Sequence, residues 1–210
     1  MEHPYLNLTL DGKTLFSLKI KIKEKIQEVV IPKSVTTIRE RAFEDCKKLQ
    51  SIIIPDSVTT IGWSAFRGCI ALKSIDIPDF VAEIEESAFE NCIALQSINI
   101  PDSVTAIGES AFEGCSALKS INIPDSVTAI RNAAFRGCSA LQKICFRYKD
   151  PDDILYLLFG GLECDLNEAN LYLFDESIFE TCTLFVPPGT RWKYRHHPFF
   201  AQFKKIEIIH

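Results

Sequence analysis

The chain is 210 residues long, 47% hydrophobic and 24% charged, ordinary usage for a folded chain that excludes disorder, collagen and coiled coil. A formal charge of −5 argues against a nucleic-acid partner. The longest apolar run, Ile154 to Phe159, falls far short of the roughly 20 residues that cross a bilayer. Lysines also break every apolar stretch near the start, so neither membrane insertion nor a signal peptide is expected and the chain reads as cytoplasmic.

In chain order, Asp11-Gly12 between Leu6/Leu8/Leu10 and Leu15/Leu18/Ile20 predicts a hairpin, and residues 1–25 form an N-terminal cap. Lys19, Lys21 and Lys23 alternate with Ile20 and Ile22. That period predicts an open strand guarded by charge against edge-to-edge pairing.

From residue 26 to 146 the chain repeats five times with a step of 23. Prolines fall at Pro32, Pro55, Pro78, Pro101 and Pro124. The same step carries Phe43 to Phe135, Cys46 to Cys138 and Leu49 to Leu141. A period of that length with a Leu-x-x-Ile-x-Ile core predicts a leucine-rich-repeat solenoid, a right-handed coil with short parallel strands on its concave face. In Leu72 to Ile77, Ile75 and Ile77 turn inward while Ser74 and Asp76 turn outward. Pro78-Asp79 ends the strand. A helical turn is predicted near Ala65 to Arg67, closed by a left-handed residue before each column cysteine: Asp45, Gly68, Asn91, Gly114 and Gly137. One coil cannot bury its apolar face alone, so the units fold by stacking.

Cys138 to Cys182 spans 44 residues, two periods less two. Setting 171–182 on 127–138 matches Leu171 to Val127, Phe174 to Ile130 and Phe179 to Phe135, which makes 147–182 degenerate repeats. A helical insertion is predicted there, capped by Asp150, entered at Pro151 and stopped by Gly160-Gly161. Residues 183–210 read as a C-terminal cap: a strand in TLFV, a helix from Arg191 to Phe203 interrupted at Pro198, and a last strand from Lys204 to Ile209.

The unit SVTxIxxxAFxGCxxLxSIxIPD resembles the BspA-like leucine-rich repeat of bacterial surface proteins, closely over about residues 26–146 and loosely elsewhere. The tail is similar to that family's closing segment at Cys182, Val186, Pro187, Gly189, Tyr194 and Phe203. The resemblance implies a solenoid that binds proteins, with adhesion or host-protein interaction as its role. An intracellular protein–protein interaction scaffold is the alternative.

Catalytic motifs are missing: there is no Gly-x-Ser-x-Gly, no His-Glu-x-x-His and no phosphate-cradling glycine loop. No Cys-x-x-Cys occurs, so no zinc is expected, and nothing calls for a cofactor. The column cysteines read as buried free thiols, because stacked coils hold their Cβ vectors parallel. Cys145, Cys164 and Cys182 fall outside that column. His196-His197 reads as a surface pair without an acidic partner at supporting spacing.

Binding residues are sought instead in exposed columns. The outward strand column runs Val30, Ile53, Asp76, Asn99, Asn122 and Cys145, beside Glu28, Ser51, Ser74, Ser97, Ser120 and Lys143. Ile53, Asp76, Asn99 and Asn122 therefore form a candidate strip for a protein or peptide partner. Trp63 and Phe80 break the repeat rule, where the other coils carry Glu or Asn and serine respectively. They are either interface anchors or lids lying flat on neighbouring coils.

Overall fold

The computed structural model describes residues 4–153 and 173–209. The predicted hairpin is present: β1 (Leu6–Leu8) runs antiparallel to β2 (Thr14–Leu18), with a bulge between Asn7 and Leu8 and Gly12 at φ 68. The lysine-rich stretch is not a strand. Ile20–Lys23 forms a helical turn, α1, held by Ile22 N–H to Lys19 O at 2.9 Å and Ile26 N–H to Ile22 O at 3.0 Å. A two-residue alternation over so few positions fits one helical turn as well as a strand, and the chain has to turn here before the first coil begins.

Each coil then contributes a longer strand and a two-residue strand: β3 (Glu28–Val30) and β4 (Thr37–Ile38), β5 (Ser51–Ile53) and β6 (Thr60–Ile61), β7 (Ser74–Asp76) and β8 (Glu83–Ile84), β9 (Ser97–Asn99) and β10 (Ala106–Ile107), β11 (Ser120–Ile123) and β12 (Ala129–Ile130), then β13 (Lys143–Phe146). Where strands of neighbouring coils pair, they pair in parallel. The β-branched residues of the Ile-x-Ile motif suit this pleat, one face of which is buried.

The interior is a set of columns. Phe43, Phe66, Phe89, Phe112 and Phe135 stack face to face at 5.2 to 5.5 Å, their planes within 5° of parallel. Beside them each column thiol after Cys46 donates to a phenylalanine carbonyl of the preceding coil: Cys69 Sγ to Phe43 O at 3.2 Å, Cys92 to Phe66, Cys115 to Phe89 and Cys138 to Phe112. The described cysteines are free thiols; Cys164 lies outside the described residues.

Successive i→i+3 turns, rather than a helix, build the arc between the two strand sets, as in Arg67 N–H to Ser64 O and Cys69 N–H to Phe66 O. The left-handed residue expected before each cysteine is found at Asp45, Gly68, Asn91, Gly114 and Gly137, with φ from 55 to 75. A second left-handed column precedes it: Arg41, Ser64, Ser87, Ser110 and Ala133, at φ 52 to 56. No glycine marks it, so no local residue choice signals it.

Both ladders are interrupted between the same two coils. The long strands divide into β3-β5 and a sheet beginning at β7, and the short ones into β4-β6 and β8-β10-β12. Side chains explain part of this. Ser57, Ser103 and Ser126 each donate Oγ to a valine carbonyl one coil back, at 2.7 to 2.9 Å. Phe80 occupies that position in the third coil and has no such donor. Thr59, Thr105 and Thr128 likewise bridge to the preceding coil, where the third coil has Ala82. The arc holds this joint together through Ser64 N–H to Glu86 O, Phe66 N–H to Ala88 O and an Arg67–Glu90 ion pair at 3.0 Å.

Beyond β13 the register departs from expectation. Phe174, not Phe179, stacks on Phe135, with centroids 5.5 Å apart. β14 (Thr183–Val186) pairs directly with β13, Lys143 facing Thr183, so the next strand of this ladder comes 40 residues on rather than at a 23-residue step. An aromatic at either position satisfies the sequence match; the stack decides between them. Asp150 Oδ1 accepts the Asp152 N–H at 3.2 Å where helical residues 151–153 begin. The rest of that insertion, with Gly160-Gly161 and Leu171, lies outside the described residues. Helix α2 (Ile178–Thr181) precedes β14, while α3 (Arg191–His196) and a 3₁₀ turn (Phe200–Gln202) lie between it and β15 (Lys205–Ile208). Tyr194, Phe199, Phe200 and Phe203 are buried there and close the apolar end of the stack.

Candidate functional site

The strands put the outward residues in register. Val30 faces Ile53, Asp76 faces Asn99, and Asn122 faces Cys145. Each sits on a strand whose alternate residue is buried, such as Ile52, Ile75 or Ile98, so its direction is fixed by the core. Ile53 and Val30 are both 63% exposed, a bare apolar pair at one end. Asp76 and Asn99 are exposed and Asn122 half-buried. Among the described residues neither asparagine side chain makes a hydrogen bond, so the two amides do not satisfy each other. Ile53 is set apart from Asp76 by the interrupted ladder.

The corrected register extends the column past Cys145 to Phe185 and Glu207, and the neighbouring column past Lys143 to Thr183 and Lys205. Lys143 Nζ lies 6.0 Å from the Phe185 ring centroid, a cation over an aromatic face. The 40-residue step from Cys145 to Phe185 hid this residue from sequence reasoning; the strand pairing reveals it.

Trp63 and Phe80 are not part of this strip. Trp63 follows β6 on the other limb of the coil, and the Arg41 guanidinium lies 4.3 Å from its ring centroid, so it packs on the preceding coil while staying 39% exposed. Phe80, in the turn after β7, is 68% exposed.

Elsewhere the structure brings together groups that the sequence kept apart. His197 is buried, not a surface residue, and its Nε2 lies 3.3 Å from Asp152 Oδ1. Burial pulls the imidazole below its usual value, against the attraction of Asp152 and Asp150. Lys193 pairs with Asp150 at 2.5 Å, holding the Asp150 carboxyl below the usual carboxylate range. These contacts tie the start of the insertion to the cap. The spacing of 45 residues between Asp152 and His197 left no local signal for them. Among the described residues no three His, Cys, Asp or Glu side chains converge on a metal position, and no helix is long and apolar enough to cross a membrane.

Comparison with known proteins agrees with this architecture. A model of the BspA type leucine rich repeat region, six copies, matches residues 21–142 and 64–185. The chain belongs to the BspA-type leucine-rich repeat family. Among solved structures it is similar to a leucine rich cell surface protein of Faecalibacterium prausnitzii, at 35% identity and a TM-score of 0.65, covering 72% of this chain and 40% of that one. It is similar to the T. pallidum leucine rich repeat protein at 31% identity and a TM-score of 0.62, covering 70% and 71%. A leucine-rich repeat protein of Bacteroides ovatus matches at 26% identity and a TM-score of 0.62, covering 87% and 53%. The BspA-type chain thus spans less than half of the Faecalibacterium protein. No curated protein matches it. Leucine-rich repeat proteins are generally protein-interaction modules and typically non-enzymatic.

Proposed function

We propose that this BspA-type chain is a non-catalytic binding module whose concave sheet takes an extended polypeptide across its strands. The observation that carries the reading is the strip itself: Asp76, Asn99 and Asn122 stand in register on rigid parallel strands, their polar atoms unused by the fold. Strands about 4.8 Å apart present a ladder of donors and acceptors to a chain lying across them. The apolar pair Val30 and Ile53 at one end, and Lys143 with Phe185 at the other, give the strip direction. The Faecalibacterium relative is a leucine rich cell surface protein, which favours adhesion or host-protein interaction over an intracellular scaffold.

The test is parallel affinity capture with wild type, the Asp76→Lys/Asn99→Lys/Asn122→Lys variant and the Trp63→Ala/Phe80→Ala variant. The lysine variant should lose the captured partner while its circular dichroism stays unchanged, because all three side chains point to solvent. Binding that survives the lysines and vanishes in the aromatic variant moves the site to Trp63 and Phe80 and refutes the strip.

A further inference from the structure

The C-terminal cap carries a separate feature, remote in kind from the polar strip. Residues 189–209 hold five Lys and Arg against one Glu in a chain whose net charge is −5. Helix α3 sets Arg191 and Arg195 four residues apart, which places them on one face. Together with Gly189, Trp192 and Ile208, the last residue of β15, they line an open hollow of about 420 Å³. Arg191 makes only a long ion pair, Nη2 to Glu207 Oε1 at 3.9 Å, and its Nε is buried without a hydrogen-bond partner. Arg195 is exposed and has no carboxylate partner among the described residues. Trp192 leaves 63% of its surface bare beside them.

The enclosed Nε leaves Arg191 under-satisfied, and the groups a ligand meets are the exposed Arg195 fork and the outer part of the Arg191 guanidinium. A guanidinium fork matches the two oxygens of a carboxylate, and an exposed indole with an isoleucine offers a flat apolar wall. We propose that this hollow binds a carboxylate carried on a short peptide segment with flanking apolar side chains. An extended polyanion such as a nucleic acid does not fit, because the rest of the chain is strongly acidic and repels it. The proposal stands independently of the strand strip, which lies on other residues.

The probe is the peptide N-acetyl-Phe-Asp-Phe-Glu-Phe-amide, titrated into the full chain by calorimetry, with its Asn/Gln counterpart and inorganic phosphate as comparison arms. The acidic peptide should bind, weaken as salt is raised, and shift the emission of Trp192. The Asn/Gln peptide should bind roughly tenfold more weakly or worse, the equivalent of one lost charge-assisted hydrogen bond. Arg195→Gln and Trp192→Ala should each weaken the acidic peptide by a similar factor. Both residues are exposed, so folding is preserved, which circular dichroism checks. Equal affinity for the Asn/Gln peptide, or unchanged binding in both variants, overturns the proposal. So does phosphate that displaces the peptide at equal concentration, since the hollow then selects charge alone.

Discussion

Replacing Ser110 with glycine should make the protein more stable, against the usual effect of glycine in an ordered segment. Ser110 holds φ 53, within the left-handed column that the repeat fills with ordinary residues. That conformation costs an L-residue about 1–2 kcal/mol. Glycine removes the cost but gives up about 0.5–1 kcal/mol through its freer unfolded chain. The Ser110 side chain makes no hydrogen bond that would be lost. The net expectation for Ser110→Gly is a gain of about 0.5–1 kcal/mol. Gly108→Ala, two positions earlier, supplies the opposite sign. A Cβ there would lie 2.5 Å from Glu86 N and 2.6 Å from Glu85 C, backbone atoms that cannot rotate aside. The coils would have to part, stretching the 2.7 Å bond from Gly108 N–H to Ile84 O. Overpacking of this kind costs about 1–3 kcal/mol. Urea unfolding followed by far-ultraviolet dichroism measures both, and an unchanged slope identifies a true stability effect. If Ser110→Gly lowers stability as Gly108→Ala does, the second left-handed column is unstrained and the reasoning fails.

Three further outcomes follow from the same structure. Phe80→Ser with Ala82→Thr restores the two missing donors at the interrupted joint, so hydrogen exchange of amides 82 to 85 should slow; equal rates before and after would show that side chains do not open that joint. In a Cys164→Ser background, Cys145 should be the first thiol labelled at mild alkaline pH. Burial pushes Cys92, Cys138 and Cys182 up to about 12, and the column cysteines are shielded from solvent; native labelling of a column cysteine at the Cys145 rate contradicts this. His197 is depressed below its unfolded value of 6.5, so its neutral form is the one the fold favours. Stability should therefore be unaffected above that value and fall as pH drops through and below it, and His197→Asn should flatten this part of the thermal melting profile against pH.

How much could be read from sequence depended on whether the information was local. The Ile-x-Ile strands, the stacked phenylalanines and the left-handed residue before each cysteine recur every 23 positions, and repetition made one coil legible from the others. The strip of Asp76, Asn99 and Asn122 followed from that register. Features without a repeated or local mark were missed. The left-handed column at Ser64, Ser87 and Ser110 uses residues that give no cue, and α1 occupies too few positions to separate two periodicities. Phe174 and Phe179 both offered an aromatic, and only stacking on Phe135 chose between them. That choice moved Phe185 into the outward column. His197 and Asp152 meet through the tertiary fold, which no spacing rule reports.

The interrupted joint bears on what the strip can bind. A coil held to its neighbour by both strand sets and the arc behaves as one rigid block. Between the second and third coils the hydrogen bonds run mainly along the arc, with Lys73 N–H to Gln50 O at 3.4 Å beside the long strands and Phe66 stacked on Phe89 at 5.4 Å. The strand ladders stop along one line, but the core crosses it, with Ile52 and Ile61 buried on one side and Ile75 and Ile84 on the other. Val30 and Ile53 lie on one side of that line, Asp76, Asn99 and Asn122 on the other. The apolar end and the polar part of the strip are therefore joined by packing and by the arc rather than by a continuous strand ladder. On the proposed reading, the continuous sheet from β7 onward carries the polar side chains a polypeptide would meet, and Val30 and Ile53 add an apolar contact only to a polypeptide long enough to cross the joint.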